Sequence, residues 1–157
     1  MAILSVGVIV IVVVAWTFIS DKNSERKLEE RVQSSGISSR SLAYEKTGFD
    51  LKKENKSEDA ERAFLRAIEF DPKNQKQAYL GLAELYRFYM PEKYFKTPEL
   101  LRSGLSYDPQ DIILLRALAQ YYERTKDISN ARYWYGQIIN YYPNDIPAKQ
   151  KIEELGG

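Results

Sequence analysis

Three prolines, Pro72, Pro109 and Pro143, each close a similar phrase, and their spacing limits the folds open to this chain. The phrases run Ala60-x3-Phe64-x2-Ala67-x4-Pro72, Thr97-x3-Leu101-x2-Gly104-x4-Pro109 and Ala131-x3-Tyr135-x2-Ile138-x4-Pro143. The prolines lie 37 and 34 residues apart. A period of this size marks stacked repeats, in which one unit is too small to bury its own apolar face.

Charge and inventory narrow the chemistry. The 157 residues carry 23 Lys and Arg against 22 Asp and Glu, a formal net charge of +1. Nucleic-acid binders normally show a basic excess, so no nucleic-acid partner is expected. The chain has no histidine and no cysteine. That removes the commonest general base and metal ligand, and with them Ser-His-Asp, Cys-His and ordinary zinc sites. No Gly-rich phosphate loop is present either. Glu58, Asp59 and Glu61 stand at a predicted helix start, where stabilising the helix dipole explains them. No enzyme, no metal and no cofactor are expected.

Residues 1–20 predict a transmembrane helix. Ala2 to Ile19 contain no charge and are dominated by Val and Ile. Eighteen residues at about 1.5 Å rise span roughly 27 Å, close to the thickness of a hydrocarbon core. Trp16 and Phe18 suit an interfacial aromatic belt, and Asp21-Lys22 mark the exit to water. The rival is a cleavable signal peptide, which would leave a soluble exported protein; it lacks a basic n-region here. Lys22, Arg26, Lys27 and Arg31 follow the apolar run, so the positive-inside rule places the repeats in the cytoplasm of a single-pass protein. Residues 21–40 then read as a charged, solvated stalk and a Ser-rich linker, Ser34 to Ser41, that lets the domain reorient.

Three units follow, at 41–74, 75–111 and 112–145, with a capping helix over 146–157. The first supplies Tyr44, Thr47, Gly48 and Leu51, then Ala60, Phe64, Ala67 and Pro72. Ser57 is the predicted N-cap of its second helix. The second supplies Tyr79, Leu82, Ala83 and Tyr86, but two extra residues separate its helices. Thr97-Pro98-Glu99 predicts a helix restart with Thr97 as N-cap. The third supplies Leu115, Leu118, Ala119, Tyr122, Ala131, Tyr135 and Ile138, with Lys126-Asp127 at the turn. Pro147 opens the cap, with Ala148, Ile152 and Leu155 apolar. Adjacent tyrosines at 121–122 and 141–142 are expected to be half core and half exposed.

This pattern resembles the tetratricopeptide repeat (TPR), a helix-turn-helix unit of 34 residues. The resemblance implies an all-α solenoid of three helix pairs that binds other proteins. By its register the first helices line a concave face. Leu42, Glu45, Phe49, Lys52 and Lys53 would come from the first unit. Gln77, Leu80, Glu84, Arg87 and Phe88 would come from the second, and Ile113, Arg116, Gln120, Glu123 and Arg124 from the third. Such a surface suits an extended peptide or a partner helix. Chaperone-binding relatives grip a C-terminal carboxylate with Lys, Asn and Arg; Glu45, Phe49, Gly81, Ile113 and Ala117 stand at those places, so that clamp is not expected.

Two further features bear on partners. Tyr86, Phe88, Tyr89, Met90, Tyr94 and Phe95 crowd the irregular second turn, either sealing it or anchoring a partner. The first helix pair has no N-terminal cap in this reading, which leaves an apolar flank. The leading expectation is a membrane-anchored interaction scaffold. The alternative is a subunit that self-associates through repeat ends or the membrane helix.

Overall fold

The computed structural model describes residues 22–30 and 40–156. The predicted membrane segment, residues 1–20, lies outside the described residues, as does most of the Ser-rich stretch. Among the described residues no helix is long and apolar enough to cross a membrane.

All described secondary structure is helical. Residues 22–30 form α1. The first unit is α2 (Arg40–Lys53) and α3 (Ser57–Phe70); the second is α4 (Lys76–Phe88), the 3-10 helix η1 (Pro91–Lys96) and α5 (Thr97–Tyr107). The third is α6 (Ile112–Arg124) and α7 (Ile128–Tyr141), followed by the cap α8 (Ile146–Glu154). From α2 onward each helix packs on its neighbours in sequence, and the first helices also touch from unit to unit, α2 on α4 and α4 on α6. That is the nearest-neighbour pattern of a solenoid.

The prolines do what their spacing implies. α3, α5 and α7 end at Phe70, Tyr107 and Tyr141, each two residues before its proline. The residue before proline is driven out of the helical region, and Asp71, Asp108 and Tyr142 show extended φ values of −151°, −139° and −129°.

Small residues set the helix spacing. Phe64 is fully buried between α2 and α4. A Cβ on Gly48 would lie 2.7 Å from its ring, and one on Gly81 2.8 Å from it. Glycine is required at both positions because the phenyl ring occupies the side-chain space of each. Thr47 is buried too, and its hydroxyl donates to the Ala43 carbonyl at 2.8 Å.

The irregular turn departs from its neighbours in a defined way. The first and third units turn through a left-handed residue, Asn55 (φ 58°) and Lys126 (φ 65°). In the second unit the two inserted residues and those that match the first turn of α3 and α7 in register together become η1. The second helix therefore starts at Thr97, three residues late in register. Two N-caps were expected elsewhere. Ser57 and Thr97 are already helical, their N-cap positions fall to Lys56 and Lys96, and neither position makes a side-chain cap bond. From the third unit onward aspartates cap instead. Asp111 accepts from the Ile113 and Leu114 amides, Asp127 from Asn130 and Asp145 from Ala148.

The start of the array differs from a solvated stalk. Leu28 is 5% exposed and packs in the same cluster as Phe64 and Tyr44, while Glu25 reaches Arg66 at 3.5 Å. α1 thus covers the flank of the first unit, as a preceding repeat would. It follows that the Ser-rich stretch falls between two docked helices, α1 and α2, and does not separate the domain from the apolar segment. Its last residue, Ser41, is a buried part of α2 and accepts from the Gln75 side-chain amide at 3.2 Å. The tyrosine pairs also differ from expectation. Tyr121 and Tyr122 are both buried, because Tyr94 of η1 packs over Tyr121 with ring centroids 4.8 Å apart. Tyr141 and Tyr142 are both exposed at the end of α7.

Gly48→Ala and Gly81→Ala should each lower stability by about 1–3 kcal/mol through overpacking against Phe64. Gly136, whose Cβ position is open, should gain up to about 1 kcal/mol on replacement by Ala, because its backbone is helical. Urea denaturation of the three variants checks the pattern; an unchanged midpoint for Gly81→Ala would refute the spacing argument.

Candidate binding groove

A cavity of about 510 Å³ opens on the concave side, between α4 and α6. The helical period brings Leu80, Ala83, Glu84 and Arg87 of α4 to one wall. Ile113, Arg116, Ala117, Gln120 and Arg124 of α6 form the other. Ile112 joins them, while Tyr94 of η1, Thr97 and Leu101 of α5 and Tyr121 close the back. The floor is therefore apolar and the rim polar.

The rim is cationic. Arg87, Arg116 and Arg124 line it against one carboxylate, Glu84. Glu84 is already matched by Lys52, which donates to it at 2.8 Å across the α2–α4 boundary. Lys52 also sits 5.2 Å from the centroid of the Phe49 ring. Arg116 pairs with Asp145 at 2.6 Å, the same residue that caps α8. Arg124 donates to Gln120 at 3.3 Å, and Arg87 lies 4.3 Å over the Phe88 ring.

Of the residues expected on the binding face, Leu80, Glu84, Arg87, Ile113, Arg116, Gln120 and Arg124 come together here. Lys52 borders the groove through Glu84. Phe49 is half-buried, edge-on to Phe64 at 5.0 Å, and serves the core as much as the surface. Glu45 is half-buried on α2, and burial pushes its carboxyl above the usual range. Gln77 is exposed at the start of α4, outside the groove lining, and Phe88 lies beyond it. Glu123 is turned toward the end cap: it accepts from Tyr135 at 2.7 Å and from Lys151 at 2.9 Å. The Lys151 bond, then that from Tyr135, holds its carboxyl below the usual range despite some burial.

Tyr94, Thr97, Leu101 and Tyr121 were not expected in the site. Tyr94 reaches it because its ring packs on Tyr121 of α6, and Thr97 and Leu101 reach it because α5 packs against both α4 and α6. At the carboxylate-clamp positions no basic donor stands: Gly81 lies under the Phe64 ring and Ala117 lines the groove.

The insertion is pinned from inside. Glu61, 9% exposed, accepts from the Tyr86 hydroxyl at 2.9 Å and pairs with Lys93 of η1. Met90 is buried in the first core cluster, and Tyr94 packs against both clusters. Phe88, Tyr89 and Phe95 face outward. The aromatic turn thus both seals the second unit and presents rings to solvent.

No family model matches the chain, and no curated protein matches it in sequence. Its structure is similar to the first TPR of Spaghetti (RPAP3) bound to the HSP90 peptide SRMEEVD, with a TM-score of 0.59 at 15% identity, over 77% of this chain and 94% of that one. It is similar also to the first TPR domain of human RPAP3, with a TM-score of 0.58 at 14% identity, over 73% and 88% of the two chains. At these identities the likeness is one of fold, and the fold is the TPR-like solenoid.

Burial, and then a hydrogen bond to a carboxylate, raise the Tyr86 and Tyr135 hydroxyls above the ordinary 10.0. Both phenols are favoured in the neutral form when folded. Their contribution is complete below the unfolded value and is lost as pH rises from there toward the folded values. Denaturation midpoints should hold near about pH 8 and fall above about pH 10. Tyr86→Phe/Tyr135→Phe should show a shallower alkaline fall; an identical slope would contradict the assignment.

Proposed function

We propose that this chain is a protein-interaction adaptor whose α4–α6 groove takes an amphipathic, acidic segment of a partner. The observation that carries this reading is the groove itself, an apolar floor rimmed by Arg87, Arg116 and Arg124. Apolar side chains of the ligand would cover Leu80, Ala83, Ile113 and Ala117, and its carboxylates would meet the arginines. Arginine suits this role because its planar fork donates to a carboxylate in bidentate fashion. The peptide in the similar complex, SRMEEVD, is itself acidic. A terminal-carboxylate clamp is not part of the proposal, since Glu45, Phe49, Gly81, Ile113 and Ala117 offer no donor for one.

Residues 1–20 would anchor the chain in a bilayer, with the repeats on the cytoplasmic side. Their uncharged, Val- and Ile-rich run supports this. Tethering raises the effective concentration of the groove at the membrane, so weak contacts suffice. Self-association of the first unit has less to drive it, because α1 buries Leu28 on the flank that would otherwise be apolar.

The test uses the full chain in lipid nanodiscs. Its probe is a fluorescein-labelled peptide with Leu at i and i+3 and Glu at i+4 and i+7. Anisotropy should report saturable binding that weakens about tenfold or more for Arg87→Glu/Arg124→Glu, a change of at least ~1.4 kcal/mol. A Lys-for-Glu peptide should not bind, and SRMEEVD should bind equally as free acid and as amide. Equal binding of the acidic peptide to wild type and charge-reversed variant would rule out this groove as the site.

A further inference from the structure

The turn between α4 and α5 carries more exposed aromatic surface than a helix connection needs. Phe88, Tyr89 and Phe95 are 61%, 45% and 70% exposed. They are not exposed through looseness. Met90 is buried at 5%, Tyr94 packs on Tyr121, and Lys93 pairs with the buried Glu61. The turn is held by its inward residues, and its outward residues have no core to join.

Cations accompany the rings. Lys93 is committed to Glu61, which leaves Arg87 and Lys96 against Glu92. Arg87 lies directly over Phe88. Rings with cations beside them match the boundary between lipid headgroups and acyl chains, where aromatic side chains settle and anionic lipids attract Lys and Arg.

The connectivity puts this turn within reach of a bilayer. Only Ser20 and Asp21 separate the apolar run from α1, and two residues span at most about 7 Å. α1 runs beside the α2–α3 turn, where Ser24, Lys27 and Glu30 share a cavity with Leu51, Lys56 and Asp59. The aromatic turn is the equivalent turn of the next unit, joined to the start of α3 by the Lys93–Glu61 pair. Both therefore lie on one edge of the solenoid, the edge beside which α1 runs.

We infer that this aromatic turn is a lipid-contacting surface: Phe88, Tyr89 and Phe95 enter the interface of an anionic leaflet while Lys96 meets its phosphates. The inference rests on the proposed anchor, and it concerns a surface other than the peptide groove.

The absence of native cysteine makes the test direct. Full-length chain carrying Glu92→Cys, or Asn140→Cys as a distant control on α7, is labelled with a fluorophore. It is then reconstituted in nanodiscs of phosphatidylcholine, alone or mixed with phosphatidylglycerol, doped with headgroup-spin-labelled lipid. Quenching at position 92 should exceed that at 140 by about threefold or more in anionic discs, and should fall to the control level in Phe88→Ser/Phe95→Ser. Both phenylalanines are exposed, so unchanged circular dichroism is expected for that variant. Equal quenching at the two positions overturns the proposal and leaves a protein partner for the patch. If the chain does not stay with the disc, the anchor reading falls. The labelled chain added to preformed anionic vesicles then decides the turn alone: binding lost in the double variant supports it, and no binding overturns it.

Discussion

Phe64 is the ring on which three helices close. It comes from α3 and fills the space that Gly48 of α2 and Gly81 of α4 leave open, with ring atoms 2.7–2.8 Å from where their Cβ atoms would be. Close packing of this kind admits no additional methyl without displacement of a helix. The consequence extends to the surface. Gly81 is flanked on α4 by Leu80 and, two residues on, Ala83, and these form the groove wall. The distance from α4 to the rest of the first unit, and so the position of that wall, depends on a contact inside the core.

The second unit shows how a repeat tolerates a change of length. Its neighbours reverse direction through one left-handed residue, Asn55 or Lys126. Here two more residues must be housed, and the first turn of α5 is given up to η1. Backbone regularity is lost, and side-chain contacts replace it: Tyr86 and Lys93 share the Glu61 carboxylate, Met90 enters one core cluster, and Tyr94 joins the two. The same residues explain why Tyr121 is buried at a position where the helical period alone would leave it at the surface.

Much of the fold was legible because its markers are local. Proline spacing, the small residues at Gly48, Ala67 and Ala131, and the apolar period of the first helices follow from steric rules that act within one unit. The groove was legible in part. Glu84, Arg87, Arg116 and Gln120 share a face by register, which a straight count along each helix reveals. Tyr94 enters it through the path of η1 and Leu101 through the packing of α5 on α4 and α6, and Glu123 leaves it because Tyr135 and Lys151 draw it toward the cap. Neither is a property of a single helix. The role of α1 was hidden for another reason: among many charged residues, one leucine at position 28 gives no periodic signal, yet it is enough to dock the helix.

Arg116 and Asp145 carry an implication beyond their pairing. Asp145 holds the first turn of α8 through the Ala148 amide at 2.8 Å and also neutralises an arginine of the groove at 2.6 Å. A carboxylate that takes Arg116 from the groove side competes for that partner. By reciprocity, occupancy of the groove and attachment of the terminal helix are linked equilibria. In the proposed binding mode, fraying of α8 would free Arg116 for an incoming anion, and an anion seated there would weaken the array at its far end. The last helix of the solenoid is thus thermodynamically part of the site.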